Sequence, residues 1–78
     1  MTNLEKYDRL FLTAFRVKPE ELPGLKYRGI PLWDSLGHMD LMGDMEETFK
    51  ISIGTADVLY FSSYEKGKEI LAKYGVEL

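Results

Sequence analysis

A chain of 78 residues makes one small domain with a thin core, too little to enclose a deep cleft between subdomains. Hydrophobic residues at 45% beside 29% charged ones argue against disorder, and the absence of cysteine excludes disulfides, thiolate nucleophiles and Cys-based metal sites. The formal net charge is -3, and its placement is uneven: from Asp34 to Lys50 five carboxylates face one lysine, so this segment carries the acidic excess and the remainder is slightly basic. Such an acidic block points to a basic protein partner and away from nucleic acid. The opening residues Met1-Thr2-Asn3-Leu4-Glu5-Lys6 lack the blocks of a signal peptide, and no apolar run is long enough to span a bilayer. The expectation is a cytoplasmic protein without membrane insertion.

Four helices and no strand are expected along residues 1–78, read as a single domain. Asn3 can cap a first helix running to about Arg16, with Leu4, Tyr7, Leu10, Phe11, Ala14 and Phe15 at helical spacing. From Val17 to Trp33 the periodicity fails, and Pro19, Pro23, Gly24, Gly29 and Pro31 mark a long loop. Loops of this length inside small domains are often functional, and Leu22, Leu25, Tyr27, Ile30 and Leu32 give this one apolar anchors. Pro31 biases Ile30 towards extended backbone and Asp34 is a good cap, so a second helix should run from Ser35 to near Phe49. A short third helix follows from about Ala56 to Phe61. A fourth, capped by Ser62 or Ser63, runs through about Tyr74, turns Tyr64, Ile70, Leu71 and Tyr74 inward, and stops at Gly75. The architecture expected is all-α, a small four-helix bundle with a long first loop and a short third helix.

The second helix carries the chemistry. At 100° per residue, Met39, Met42, Met45 and Phe49 share one apolar arc with Leu41 at its edge, while Asp40, Gly43, Asp44 and Glu47 share the other side. Leu36 falls among those carboxylates, an exposed apolar contact ringed by charge, as a docking surface for a basic partner requires. Ser35 lies in the first turn, where free amides and the helix dipole favour an anion. Asp40, Asp44 and Glu47 read as a solvated face, since no loop with calcium-ligand spacing is present. A Ser35–His38 catalytic pair lacks any oxyanion hole or third orienting group, so no catalytic residue and no metal ligand is assigned.

The run Asp34-Ser35-Leu36-Gly37-His38-Met39-Asp40-Leu41-Met42-Gly43-Asp44-Met45-Glu46-Glu47-Thr48-Phe49 resembles the signature of acyl carrier proteins, and the helix order and length resemble the whole of that family's domain. The resemblance implies that Ser35 is where a phosphopantetheinyl transferase attaches 4′-phosphopantetheine from coenzyme A, with Asp34 and Leu36 as recognition flanks. It also implies docking of acyl-loading and acyl-processing enzymes, through their basic patches, on the acidic positions Asp40, Glu46 and Glu47, with Leu36, Gly43 and Asp44 on the same helix face completing the expected docking surface. His38, Met39 and Met42 become candidate contacts for the arm or its acyl chain. The absence of cysteine fits, because the working thiol of such a carrier arrives with the cofactor.

Gly37, His38 and Gly43 depart from the pattern of carriers in fatty acid biosynthesis, and Lys26 and Arg28 add positive charge to the loop. These departures point to a stand-alone carrier of a specialised fatty-acid or polyketide-type pathway, expected to be a monomer. An aminoacyl or peptidyl carrier differs only in cargo. An unmodified helical adaptor using the acidic face for binding belongs to a different class.

Overall fold

A computed structural model describes all residues 1–78 and contains four α-helices, one 3-10 turn and no strand. Helix α1 spans Asn3–Phe15, α2 Ser35–Phe49, α3 Thr55–Tyr60 and α4 Tyr64–Lys73, with the 3-10 turn at Pro19–Glu21 inside the first loop. No helix is long and apolar enough to cross a membrane.

Local chemistry sets each boundary. The cap of α1 is Thr2, one residue before the expected Asn3. Thr2 Oγ1 accepts from the Glu5 amide at 3.1 Å while the Glu5 carboxylate accepts from the Thr2 amide at 2.8 Å, a reciprocal pair that Asn3 could not form with Lys6. Asn3 instead donates its side-chain amide to the Glu77 carbonyl at 3.1 Å, tying the two chain ends together. Helix α1 buries Tyr7, Phe11 and Phe15, a stripe at four-residue intervals, and ends at Arg16 in the left-handed region.

Helix α2 begins and ends where expected. Asp34 Oδ1 accepts from the Gly37 amide at 2.9 Å, and Lys50 closes the helix with φ 54°. The third helix sits one residue earlier than expected, because Gly54 in extended backbone serves as its cap. Ser63, rather than Ser62, caps α4 by accepting from the Lys66 amide at 2.9 Å. At its far end the Val76 amide returns to the Leu71 carbonyl and the Gly75 amide to that of Ala72, with Gly75 at φ 82°, so the last carbonyls are satisfied by a six-residue loop-back.

One aromatic-rich core joins these elements. Tyr7, Phe11, Trp33, Leu41, Met45, Phe61 and Leu71 are essentially inaccessible to solvent. Trp33 stacks on Phe15 at 5.0 Å between ring centroids and meets Phe11 edge-on at 5.5 Å. Each such pair contributes roughly 0.5–1.5 kcal/mol beyond its burial. The core includes the long loop: Leu22, Leu25 and Trp33 are buried, and Tyr27 and Ile30 half-buried against it. The loop is also stitched to the start of α4, where the Tyr27 amide donates to the Ser62 carbonyl at 2.9 Å and the Tyr64 amide to that of Leu25 at 2.8 Å.

Close packing explains two glycines. A β-carbon on Gly67 would enter the space of the Tyr7 hydroxyl and the Phe61 ring, and one on Gly37 would collide with the Leu32 carbonyl. Gly37, noted in the sequence only as a departure from the carrier pattern, is what lets the loop backbone lie directly on α2.

Candidate functional site

Ser35 is the first residue of α2, and its exposed side chain is fixed by the cap before it and the loop beside it. The Asp34 carboxylate is occupied by the Gly37 amide, and the Asp34 carbonyl accepts from the His38 amide at 2.8 Å. The amides of Ser35 and Leu36 have no acceptor within the chain, so an anionic oxygen beside Ser35 finds donors waiting at the positive end of the helix. Leu36 follows with 78% of its surface exposed.

The sequence did not indicate which loop residues meet Ser35. The Tyr27 hydroxyl lies 3.3 Å from Ser35 Oγ, and the Arg28 guanidinium lies over the Tyr27 ring, 5.4 Å from its centroid. The Ser35 hydroxyl first, and then the donor groups of the Arg28 guanidinium, hold the Tyr27 phenol below its ordinary range; Tyr27 in turn raises the Arg28 guanidinium. Arg28 adopts a left-handed backbone, φ 63°, and its amide donates to the Trp33 carbonyl at 2.9 Å, which roots this cation beside the Asp34-Ser35 turn. The only sequence signal was an aromatic and a basic residue in a loop otherwise punctuated by proline and glycine.

The outward face of α2 presents Leu36, Asp40, Gly43, Asp44 and Glu47, all exposed. Glu46, expected among them, is half-buried, and its Oε2 accepts from the Ile53 amide at 2.8 Å. It fastens the chain leaving α2 because position 46 lies where that chain turns back.

The inward face is rotated from the expected arc. His38, Leu41, Met42 and Met45 are buried, Leu41 completely, whereas Met39 is 59% exposed and belongs to the outer surface near Leu36. The reason is Trp33. Its buried indole N–H needs an acceptor and finds His38 Nδ1 at 3.0 Å, which draws position 38 into the core and leaves position 39 outside.

The indole can only donate, so Nδ1 of His38 accepts and the ring proton sits on Nε2, which donates to the Val58 carbonyl at 2.8 Å. With both ring nitrogens engaged, His38 has none to offer Ser35. It serves as a strut joining the loop, α2 and α3. Its ring edge, with Tyr27, Val58, Leu59, Phe61 and Ser62, lines a cleft of about 140 Å³ between the first loop, α2 and α3. Met39 and Met42, expected as further arm or acyl contacts, do not line this cleft: one faces solvent and the other is packed into the core. A wider depression of about 300 Å³ on the α3–α4 face is lined by Asp57, Tyr60, Lys66, Glu69, Ile70 and Lys73, and shares no residue with the surroundings of Ser35.

Comparison of the chain with protein-family models, with curated proteins and with solved structures gave no match.

Proposed function

We propose that this chain is a carrier whose Ser35 bears a covalent 4′-phosphopantetheine arm, and whose α2 face docks the enzymes that load and process its cargo. The observation that carries the reading is Ser35 itself: an exposed hydroxyl in the first turn of α2, behind an Asp34 cap and before an exposed Leu36, in a domain of helix, long loop, helix, short helix and helix. The surroundings fit the group. Two unclaimed amides and one cation stand near the position of a phosphodiester, and the adjacent cleft is lined mostly by apolar side chains.

The arm contributes a terminal thiol that holds acyl groups as thioesters. In the loading reaction the bond formed joins Ser35 Oγ to phosphorus, the bond broken is the pyrophosphate P–O bond of coenzyme A, adenosine 3′,5′-bisphosphate leaves, and the serine proton passes to a base of the transferase. The chain's own part is to present Ser35 at an accessible helix start and to offer Leu36, Asp40, Gly43, Asp44 and Glu47 as a contact surface. An acidic rim around one exposed leucine suits transferases and acyl-processing enzymes with basic patches. The acyl-carrier-like bundle, a role in a specialised fatty-acid or polyketide-type pathway, and a monomeric state all belong to this reading.

Intact mass after incubation with coenzyme A and a broad-specificity phosphopantetheinyl transferase tests it, followed by peptide mapping. One added phosphopantetheine on Ser35, lost in a folded Ser35→Ala chain, is expected. Modification persisting in Ser35→Ala overturns the site. A chain recovered unmodified from its native host, while binding partners through its acidic face, makes it an adaptor.

A further inference from the structure

Three side chains from two segments meet at one point: Ser35 of α2, and Tyr27 and Arg28 of the first loop. The 3.3 Å contact between the Tyr27 hydroxyl and Ser35 Oγ spans eight residues, and the Arg28 guanidinium covers the ring that makes it. Arg28 has no carboxylate within ion-pair distance, since the chain's two salt bridges are Lys66–Glu69 and Lys73–Asp57. After Tyr27, the Asp34 carboxylate also raises the Arg28 guanidinium, and that carboxylate is held on the Gly37 amide. A free cation, rooted by its own backbone amide on Trp33, therefore stands beside the serine, with an aromatic hydroxyl between them.

Esterification of Ser35 changes what Tyr27 can do there. An esterified Oγ has no proton to give and is a poor acceptor, so the Tyr27 hydroxyl loses its partner. A phosphodiester places anionic oxygens two bonds beyond Oγ, within reach of the same hydroxyl. It also sets a negative charge beside the Asp34 carboxylate, a repulsion that a neighbouring cation offsets. A guanidinium suits this position, because it presents several donors to phosphate oxygens while stacking on an aromatic face.

We propose that Tyr27 and Arg28 form the receiving site for the phosphodiester on Ser35, the Tyr27 hydroxyl passing from Oγ to a phosphate oxygen and the Arg28 guanidinium supplying the counter-charge. This rests on Ser35 being the attachment point. Neither residue takes part in the covalent step; both are positioning residues that anchor the root of the arm to the first loop. The loop is then held at Ser35 by charge as well as by packing.

The test uses the full chain loaded with phosphopantetheine, the addition verified by mass, in wild type, Tyr27→Phe, Arg28→Gln and Arg28→Lys. Phosphorus NMR reads the phosphodiester directly. Its resonance is expected to move by more than its linewidth in Tyr27→Phe and Arg28→Gln, and to return towards the wild-type position in Arg28→Lys. Carbon NMR of ring-labelled tyrosine, with Tyr27 assigned from Tyr27→Phe, reads the second half. Loading should raise the Tyr27 titration midpoint, because the phenol exchanges a serine hydroxyl for an anion. Far-UV circular dichroism of each variant establishes that the helices are intact. A chain that takes no phosphopantetheine overturns the carrier reading and this inference together. A loaded chain whose phosphorus resonance is the same in wild type and Arg28→Gln, with an unmoved Tyr27 titration, overturns this inference alone.

Discussion

Replacing His38 by phenylalanine separates a structural role from a role at the proposed arm. Phenylalanine keeps a flat ring among Tyr27, Trp33 and Phe61 but removes both ring nitrogens. The Trp33 indole N–H is then stranded in a side chain with no solvent access, and the Val58 carbonyl loses its donor. A stranded buried donor costs about 1–3 kcal/mol, and the lost bond to Val58, whose carbonyl can turn to water, costs roughly 0.5–1.5 kcal/mol. A loss of about 2–4 kcal/mol is a large part of the stability of a domain this small, roughly 4–12 kcal/mol. At about 4–8 °C per kcal/mol the melting temperature falls by roughly 8–32 °C. Thermal and urea unfolding of His38→Phe, Trp33→Phe and the double variant measure it as a cycle. The double variant should be more stable than the sum of the singles implies, by about 1 kcal/mol or more, because the donor disappears with its acceptor. Additivity within about 0.5 kcal/mol would refute the hydrogen-bond reasoning. Loading with phosphopantetheine, at a temperature where both chains are folded, should proceed at the wild-type rate; slower loading would move His38 from the strut to the site.

The two glycines at 43 and 67 should respond in opposite directions. Gly43→Ala adds a methyl that meets nothing within 4 Å and should stabilise α2 by about 1 kcal/mol, whereas Gly67→Ala drives into Tyr7 and Phe61 and should destabilise by roughly 1–3 kcal/mol, both read from urea midpoints. The Lys73 ammonium first, and the Tyr74 hydroxyl after it, hold Asp57 below the usual carboxylate range. A depressed folded-state pKa contributes stability that is present above the ordinary value of about 4 and is lost as pH falls through the folded one. Asp57→Asn should accordingly flatten the acid limb of the stability profile, and an unchanged limb in urea titrations would remove Asp57 from it. Burial first, then the neighbouring Tyr64 and Asp8, push the Tyr7 phenol upward, so its contribution is intact below about pH 10 and lost as pH rises further, an alkaline transition visible in tyrosine absorbance. Asp40→Lys and Glu47→Lys should slow loading at low salt without altering the melting temperature, while Glu46→Gln should lower the melting temperature and leave loading alone.

What could be read from the residues divides along the line between local and distant causes. Helix α2 begins at Ser35 and ends at Phe49 as expected, because Asp34 and Pro31 set its start within a few residues of chain. Periodicity says nothing inside an irregular loop, so Trp33, the largest side chain of the core, went unrecognised there. That omission turned α2: positions 39, 42 and 45 and positions 38, 41 and 45 make overlapping arcs, and only the need of Trp33 for an acceptor decides between them. Similarly, the outward placement of Leu36 follows from helix geometry alone, whereas the contact of Tyr27 with Ser35 depends on where the loop is pinned.

The pinning of the loop sets an order in time. The backbone of residues 25–27 is tied by hydrogen bonds to residues 62–64, more than thirty positions downstream. During synthesis the serine emerges well before the strand of chain that fixes its neighbours, and closing a loop of that length must precede the contact. A fragment ending after α2 would keep the Arg28–Trp33 bond but lack the bonds from residues 62 and 64 that hold Leu25 and Tyr27 in place beside Ser35. The surroundings of the serine are therefore completed only when the last quarter of the chain folds back, which confines them to the finished protein.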